Sequence, residues 1–394
     1  MCLIMNTNLH YSIIILGGGI NGVIAGIGLA KKGLSTAIVD INSCLLSTVG
    51  NKVFALSKKS QEILQSINIW EDVKRFCPIY DILIHDSNSP VSIHYNNRTV
   101  CEDPMGYVVE GSYLFSILKK HLKNLDIYTS IAYKSVFVKE NFVEIQFENE
   151  KVLRASLIVC AEGKNSKIRE LLQIPTIKYD FKQSCIVCNI THENCHNNIA
   201  IEHFLPNGPL AILPMYNKNT SSIVWTEKSD TVKMLTKLDK EDFEVELQKR
   251  CKDYLKGIKL KGDVFFYPIS LTFAKKIYGN RIILIGDAVH CIHPIAGQGL
   301  NLGLRDIEKL INNIEMAQLH KIDIGSDYVL KSIFRDRCFD NFSMTFITTG
   351  LNAVFSNKSC IIKIIRNIGM FSIENSETLK KFLIKHAMGI GVFN

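Results

Sequence analysis

The run Tyr11–Leu16 ("YSIIIL") is apolar, β-branched and of strand length, and "GGGING" follows it without a gap. Ile20–Lys32 then carries small residues on one side (Gly22, Ala25, Gly26, Ala30) and stops at Gly33, which reads as a helix with a glycine stop. Leu34–Asp40 ("LSTAIVD") is a second buried strand that ends in an acid. This βαβ opening constrains the fold more than any other stretch. Gly17, Gly19 and Gly22 stand in the dinucleotide fingerprint, and Asp40 takes the ribose position, 40 − 17 = 23 residues on. The first glycine permits the tight turn, the second lets the backbone approach a pyrophosphate, and the third lets helix and strand pack closely. The helix N-terminus supplies oriented N–H groups for the anion.

Two later junctions repeat the design. In Ala161–Arg169 ("AEGKNSKIR") an apolar strand ends in an acid and Gly163, and a helix opens at Ser166 and carries Arg169. In Arg281–Asp306 ("RIILIGDAVHCIHPIAGQGLNLGLRD") a strand ends at Gly286 and Asp287, an acid placed to accept hydrogen bonds from hydroxyls of a sugar-like chain. "AGQGLN" then starts a helix whose first N–H groups can donate to an electron-rich ring edge. One extended dinucleotide, gripped at adenosine, pyrophosphate, ribityl chain and ring, accounts for all three anchors, and FAD fits.

Between the anchors the pattern changes. "YDILIHDSNSPVSIHY" predicts a hairpin around Ser87–Pro90, Tyr133–Gly163 predicts a β-meander, and Ser184–Trp225 alternates as strands. Glu241–Leu255 predicts an amphipathic helix, and the chain beyond Gly297 is mostly helical. The expected fold class is α/β: a Rossmann-like FAD-binding domain with an interleaved β-sheet substrate domain and a helical C-terminus. At 394 residues the chain suits two or three packed domains. The expected division gives residues 1–78, 101–180 and 268–320 to the FAD-binding domain. A hairpin at 79–100 and residues 181–267 go to the substrate domain, and 321–394 form the helical region.

The formal charge of +8 is spread without a basic run, which argues against a nucleic-acid partner and leaves attraction to an anionic membrane open. The start, "MCLIMNTNLHYSIIIL", has no basic n-region and no long apolar h-region, and no stretch is long enough to span a bilayer. A cytoplasmic protein is expected, at most peripheral on the inner face of the membrane, with twelve reduced cysteines. "CIVCNITHENCH" resembles a zinc group, but Cys185 and Cys188 stand three apart in a predicted strand and face opposite ways, so no metal is expected.

The combination "GGGING…D", "AEGKNSKIR" and "GDAVHCIHPIAGQGLNLGLRD" resembles the flavoprotein aromatic hydroxylases of the p-hydroxybenzoate hydroxylase fold, and within them the ubiquinone-biosynthesis hydroxylases. The likeness continues through "FALSKKSQEILQSINIW", "IEHFLPNGPLAILPM" and the C-terminal helices, so it covers nearly the whole chain. It implies that Gly17, Gly19, Gly22 and Asp40 bind the ADP portion, and that Gly286 and Asp287 hold the ribityl and pyrophosphate portion. Pro294, Gly297, Gly299, Leu300 and Asn301 would line the isoalloxazine, while Gly163 and Arg169 belong to a motif linked to both flavin and pyridine nucleotide. The implied reaction is hydroxylation of a polyprenylphenol by molecular oxygen through a flavin C4a-hydroperoxide, with NAD(P)H or another donor as reductant. A ubiquinone-biosynthesis complex is an implied partner.

Three positions depart from the family: Glu162 where Asp is usual, Lys52 where Arg is usual near the flavin, and His203 where Arg is frequent in the strand bordering the substrate. His290 and His293 are read as satisfying backbone groups in a tight turn, in preference to a base for a phenol, so no acid–base residue is assigned. The helix "SNKSCIIKIIRNIGMFSI", interrupted by Lys363 and Arg366, is expected to face the core, with docking on a membrane as the alternative. Two other functions stay open: a flavin reductase or epoxidase acting on a prenyl chain, and a non-catalytic flavoprotein scaffold.

Overall fold

The computed structural model describes residues 9–390, apart from 48, 49, 51, 88, 252, 253 and 358. The first eight residues, the tip of the Ser87–Pro90 turn and the end of the predicted 241–255 helix therefore lie outside or partly outside the described residues.

Among the described residues, the strand Leu9–Leu16 sits in the middle of an eight-stranded sheet. It pairs in parallel with Val152–Cys160 on one side and with Thr36–Val39 on the other. Val152–Cys160 pairs in parallel with Ile282–Leu284 beyond it. Ile13, Ile14 and Ile15 are fully buried, which is why this strand reads as a continuous apolar run and not as an alternation. The helix Ile20–Lys31 crosses between the first two strands, with Gly26 against Ile15 and Ile38 of the sheet and Gly28 against Ile311. The meander is present as Tyr133–Val138, Val143–Phe147 and Val152–Cys160, each antiparallel to the next.

A second eight-stranded sheet holds Lys259–Ala274, Thr176–Thr191, Thr220–Lys228, Gly208–Pro214, Ile199–Leu205, Asp81–Asp86 and Ser92–Asn96, with the short strand His290–Cys291 at its edge. The predicted hairpin is the antiparallel pair Asp81–Asp86 and Ser92–Asn96. Two strands of sixteen residues, Thr176–Thr191 and Lys259–Ala274, run across the limits expected at 180/181 and 267/268. The second sheet thus contains residues from both sides of each limit.

The C-terminal helices Asp327–Phe355, Cys360–Asn375 and Glu377–Met388 close one face of this sheet. Here the core-facing expectation is corrected. Ile361, Ile364, Ile368 and Phe371 are 69%, 59%, 61% and 60% exposed, while Arg366 and Met370 are the buried residues. Arg366 forms a buried ion pair with Asp86 at 2.5 Å and donates to the carbonyls of Val354 and Phe355 at 3.1 and 3.0 Å. That ion pair fixes which side of the helix faces inward and turns the isoleucines out.

The junction between the two sheets is tied by Asp306, on the long helix Gln298–Leu319. Its carboxylate accepts from Gly286 N at 3.0 Å, from His290 Nε2 at 2.6 Å and from Arg337 Nε at 2.7 Å. Burial pushes the Asp306 carboxyl up, but His290 and Arg337 outweigh burial and hold it well below the usual carboxylate range. Asp306→Asn is expected to lower unfolding free energy by about 3–5 kcal/mol, the cost of leaving buried partners unpaired. A carboxyl depressed on folding stabilises above its unfolded value, near ~3.9, and this contribution fades as pH falls below that value. Urea unfolding at pH 7 and at pH 3 checks both points: the gap between variant and parent is largest at pH 7 and narrows in acid.

Candidate functional site

The parallel registers align the carboxyl ends of four strands. Leu16 stands opposite Val39 and Cys160, and Cys160 stands opposite Leu284. The residues that follow each strand therefore emerge along one edge: Gly17, Asp40, Glu162–Gly163 and Gly286–Asp287. In open α/β sheets this edge is where ligands bind.

At the first turn the glycine requirement is steric. Gly17 has φ +110°, and a Cβ there would lie 2.4 Å from the Ala161 carbonyl oxygen. A Cβ on Gly22 would lie 1.9 Å from the Gly17 carbonyl oxygen, which is the close helix-to-turn approach predicted for the third glycine. At Gly19 an added Cβ meets nothing within 4 Å. Asp40 accepts the Gly18 N–H, and its other oxygen accepts from Asn42 N and Nδ2 at 2.7 and 2.8 Å. It braces the turn at the place read as the ribose position. Asn21 was missed from sequence. Its side chain packs against both Gly286 and Gly303, where a Cβ would come within 2.3 and 2.5 Å of its amide, so it joins the first anchor to the third. It is the lone polar residue in the first half of that helix, which was the available signal.

At the second anchor Glu162 turns into the protein. It accepts from Tyr133 Oη at 2.7 Å, Ser166 Oγ at 2.8 Å and Ile168 N at 3.1 Å, and so caps the short helix Lys167–Leu171. Gly163, at φ +78°, faces open space. Arg169 is buried and donates to the carbonyls of Ala288 at 2.8 Å and Lys164 at 2.5 Å. Those bonds join the second anchor to the third.

The third anchor opens on a cavity of about 830 Å³. Lys52, Asp287, Pro294, Gly297, Gly299, Leu300 and Asn301 all line it. Asp287 is solvent-accessible inside this cleft, yet the protein packed around it pushes its carboxyl above the usual range, against the pull of His290, Lys52 and Lys164. Gly297 is left-handed at φ +62° and donates its N–H to the Pro294 carbonyl at 3.1 Å. The first turn of Gln298–Leu319 lines the cavity beyond it, and the first N–H groups of a helix have no intrahelical acceptor. Gly299 has no atom within 4 Å of an added Cβ. The Asn301 amide is spent within the protein: it accepts from Ser57 N and Ser60 Oγ at 2.9 and 2.7 Å and donates to the carbonyls of Ala55 and Gly297 at 3.0 and 3.2 Å. Lys52 lies over the Tyr267 ring, 4.3 Å from its centroid.

Several expectations change here. His290 and His293 are structural, but their partners are side chains and not backbone groups: His290 pairs with Asp306, and His293 lies 3.4 Å from Gln183 Oε1 and against Phe181. Burial lowers the His293 imidazole to about 4. His203 points away from the cavity, with its ring 5.5 Å from Tyr254 and 6.4 Å from His85. The residues of that strand that line the cavity are Ala200, Ile201, Glu202 and Phe204, so the ionisable one among them is its neighbour, Glu202. Cys185 and Cys188 lie on opposite faces of Thr176–Thr191, in separate apolar clusters, and burial pushes each thiol up to about 12. His192 is committed to the Asn194 carbonyl and to Ser221.

Open space in front of Gly19, Gly163 and Gly299, one position in each anchor, fits an extended dinucleotide laid along this edge. Asp40→Ala is expected to weaken FAD binding roughly ten- to a hundredfold, about 1.5–3 kcal/mol, as measured by titrating the apoprotein with FAD. Chelators are expected to leave the melting temperature unchanged, and metal analysis of the purified protein to find less than stoichiometric zinc.

Comparison with known proteins agrees with this geometry. The sequence model of the family described as "FAD binding domain" matches residues 10–318. The chain is 35% identical over 384 residues to the ubiquinone hydroxylase UbiL of Rhodospirillum rubrum, covering 96% of this chain and 89% of that protein. It is 27% identical to the 3-demethoxyubiquinol 3-hydroxylase of Escherichia coli, covering 98% and 100%. The fold is that of the p-nitrophenol 4-monooxygenase PnpA of Pseudomonas putida, with a TM-score of 0.79 at 16% identity over 96% of this chain and 98% of that one. The family match and the relative from Rhodospirillum rubrum show that the chain belongs to the FAD-binding family: it is an FAD-dependent aromatic-ring hydroxylase of the p-hydroxybenzoate hydroxylase fold.

Proposed function

We propose that the chain hydroxylates the ring of a polyprenylphenol in ubiquinone biosynthesis, using FAD, molecular oxygen and NAD(P)H or another electron donor. The observation that carries this reading is the cavity, which runs from the first turn of Gln298–Leu319 over the apolar face of the second sheet. Its far walls include Ile84, Ile93, Phe204, Leu351 and Met370, a lining suited to a prenyl chain. The names of the relatives from Rhodospirillum rubrum and Escherichia coli support the same substrate class.

Bound FAD supplies the activation of oxygen once it is reduced. The chain's own residues bind and orient. The glycine turns and Asp40 hold the nucleotide edge, and the N–H groups after Gly297 face the ring end, where fixed donors stabilise negative charge as it forms. The apolar walls exclude water from the reacting ring.

A peripheral membrane contact belongs to this reading. Ile347, Leu351 and Ile365 line the cavity and are also exposed, so the cavity reaches the surface beside Ile361, Ile364, Ile368 and Phe371. An apolar face of this kind suits docking on a lipid surface and delivery of a hydrophobic substrate. Among the described residues, no helix is long and apolar enough to cross a membrane.

Turnover with ¹⁸O₂ tests the reading. One labelled oxygen on a ring carbon is expected; label in the prenyl chain identifies an epoxidase, and no phenol-dependent consumption of NAD(P)H identifies a scaffold. Gly299→Val is expected to keep the fold and most of the FAD affinity, because its Cβ enters open space. It is expected to raise the ratio of hydrogen peroxide released to NAD(P)H consumed, measured alongside stopped-flow reduction.

A further inference from the structure

The strand Ile199–Leu205 reads I-A-I-E-H-F-L, and its pleat turns Ala200, Glu202 and Phe204 to the cavity while Ile201 joins the core behind the sheet. The strand registers then place Glu202 in a row across the sheet. It stands opposite Ala211 on one side and Ile84 on the other; Ala211 is opposite Val224, Val224 opposite Val187, and Ile84 opposite Ile93. Five apolar side chains and one carboxyl make up that row. Among the described residues, no hydrogen bond or ion pair reaches the Glu202 carboxyl, and burial is the sole influence on its proton affinity.

The other ionisable groups around the cavity are already committed or hard to ionise. Lys52 stacks on Tyr267, and Arg366 is paired with Asp86. Burial pushes Cys185 and Tyr95 up to about 12 and raises Tyr267. Asp287 sits with the cofactor anchor, and burial raises Cys291 to about 11. An uncompensated carboxyl in an apolar wall is a cost to folding that packing does not explain.

Resting on the reading above, we propose that Glu202 is the base that takes the ring-hydroxyl proton of the phenol substrate. The phenol O–H bond breaks and an O–H bond forms on the Glu202 carboxylate, leaving a phenolate whose charge enriches the ring carbons ortho and para to it. After oxygen enters the ring, the carbon-bound proton leaves and is used in the water that the overall reaction forms, and Glu202 returns its proton to the ring oxygen. The carboxylate is restored, and the oxidant is the molecular oxygen of the overall reaction, reduced by the electron donor. An ordinary glutamate, near ~4.3, lies about six units below a phenol near ~10 and is a poor base for it. Burial pushes Glu202 up to about 8, which reduces that gap to about two units.

The test uses the FAD-loaded protein and a phenol bearing one prenyl unit. Infrared difference spectra across pH 8 are expected to show a protonated carboxyl band that is lost near 8 in the parent and is absent from Glu202→Gln, a readout that requires no turnover. In turnover, the parent rate is expected to rise with pH up to about 8 and then level. Glu202→Gln is expected to lose that limb and to be slower by about 10²–10⁴-fold. A nitro-substituted phenol, already ionised at pH 8, is expected to bring the variant's rate back toward the parent's, which a merely structural role does not predict. Glu202→Asp keeps a carboxyl and is expected to keep the limb; it replaces the glutamine variant if that fails to bind FAD. The same carboxyl band in parent and Glu202→Gln, or an unchanged pH limb, overturns the proposal. A parent in which the phenol speeds flavin reduction along the same Glu202-dependent limb but is not hydroxylated sinks the functional reading while leaving the proton-accepting role of Glu202 intact.

Discussion

The Asp306 carboxylate holds together the part of the molecule on which everything else depends. It lies at the end of the motif that begins with Arg281, and it reaches back to the Gly286 N–H and to His290 in the same motif. Arg337 and, at 3.4 Å, Asn341, both from the helix Asp327–Phe355, complete the set. One side chain thus fixes the turn that carries Asp287, the helix that presents Gly299, and the C-terminal helices over the second sheet. Four partners in a dry site justify burying that charge, since a buried ion pair is stable only when its remaining hydrogen-bonding groups are also satisfied.

From that junction the two sheets divide the work. The first aligns strand ends, so that residues distant in sequence form one polar edge. Its turns are held by Asp40 on Gly18, by Asn21 against Gly286 and Gly303, and by Arg169 on Ala288. The second sheet provides a broad apolar wall. Its face is closed by helices that turn Arg366 and Met370 inward and Ile361, Ile364 and Ile368 outward. The cavity therefore has a polar end at the glycine turns, one carboxyl in its wall, and an apolar mouth at the surface.

Much of this was legible in the residues themselves. Local steric rules are strict at Gly17, Gly22 and Gly297, so the turns and the helix starts could be read before any contact was known. The two-residue period of a strand also separated Cys185 from Cys188 correctly. The same rule, applied to Ile199–Leu205, would have set His203 aside and singled out Glu202. His203 departs from the family pattern, but the pleat decides which neighbours face the cavity.

The sequence by itself determined the nucleotide edge, because a strand, a glycine turn, a helix and a distal acid specify one local geometry by sterics and hydrogen bonding alone. Only the tertiary structure decided the rest. Whether Arg366 or its isoleucine neighbours face inward depended on Asp86, 280 residues earlier in the chain. Whether Glu202 is solvated or stranded depended on which apolar strands lie beside it. Helical and strand periods define faces, but the partner packed against a face sets its burial, its charge state and so its chemistry.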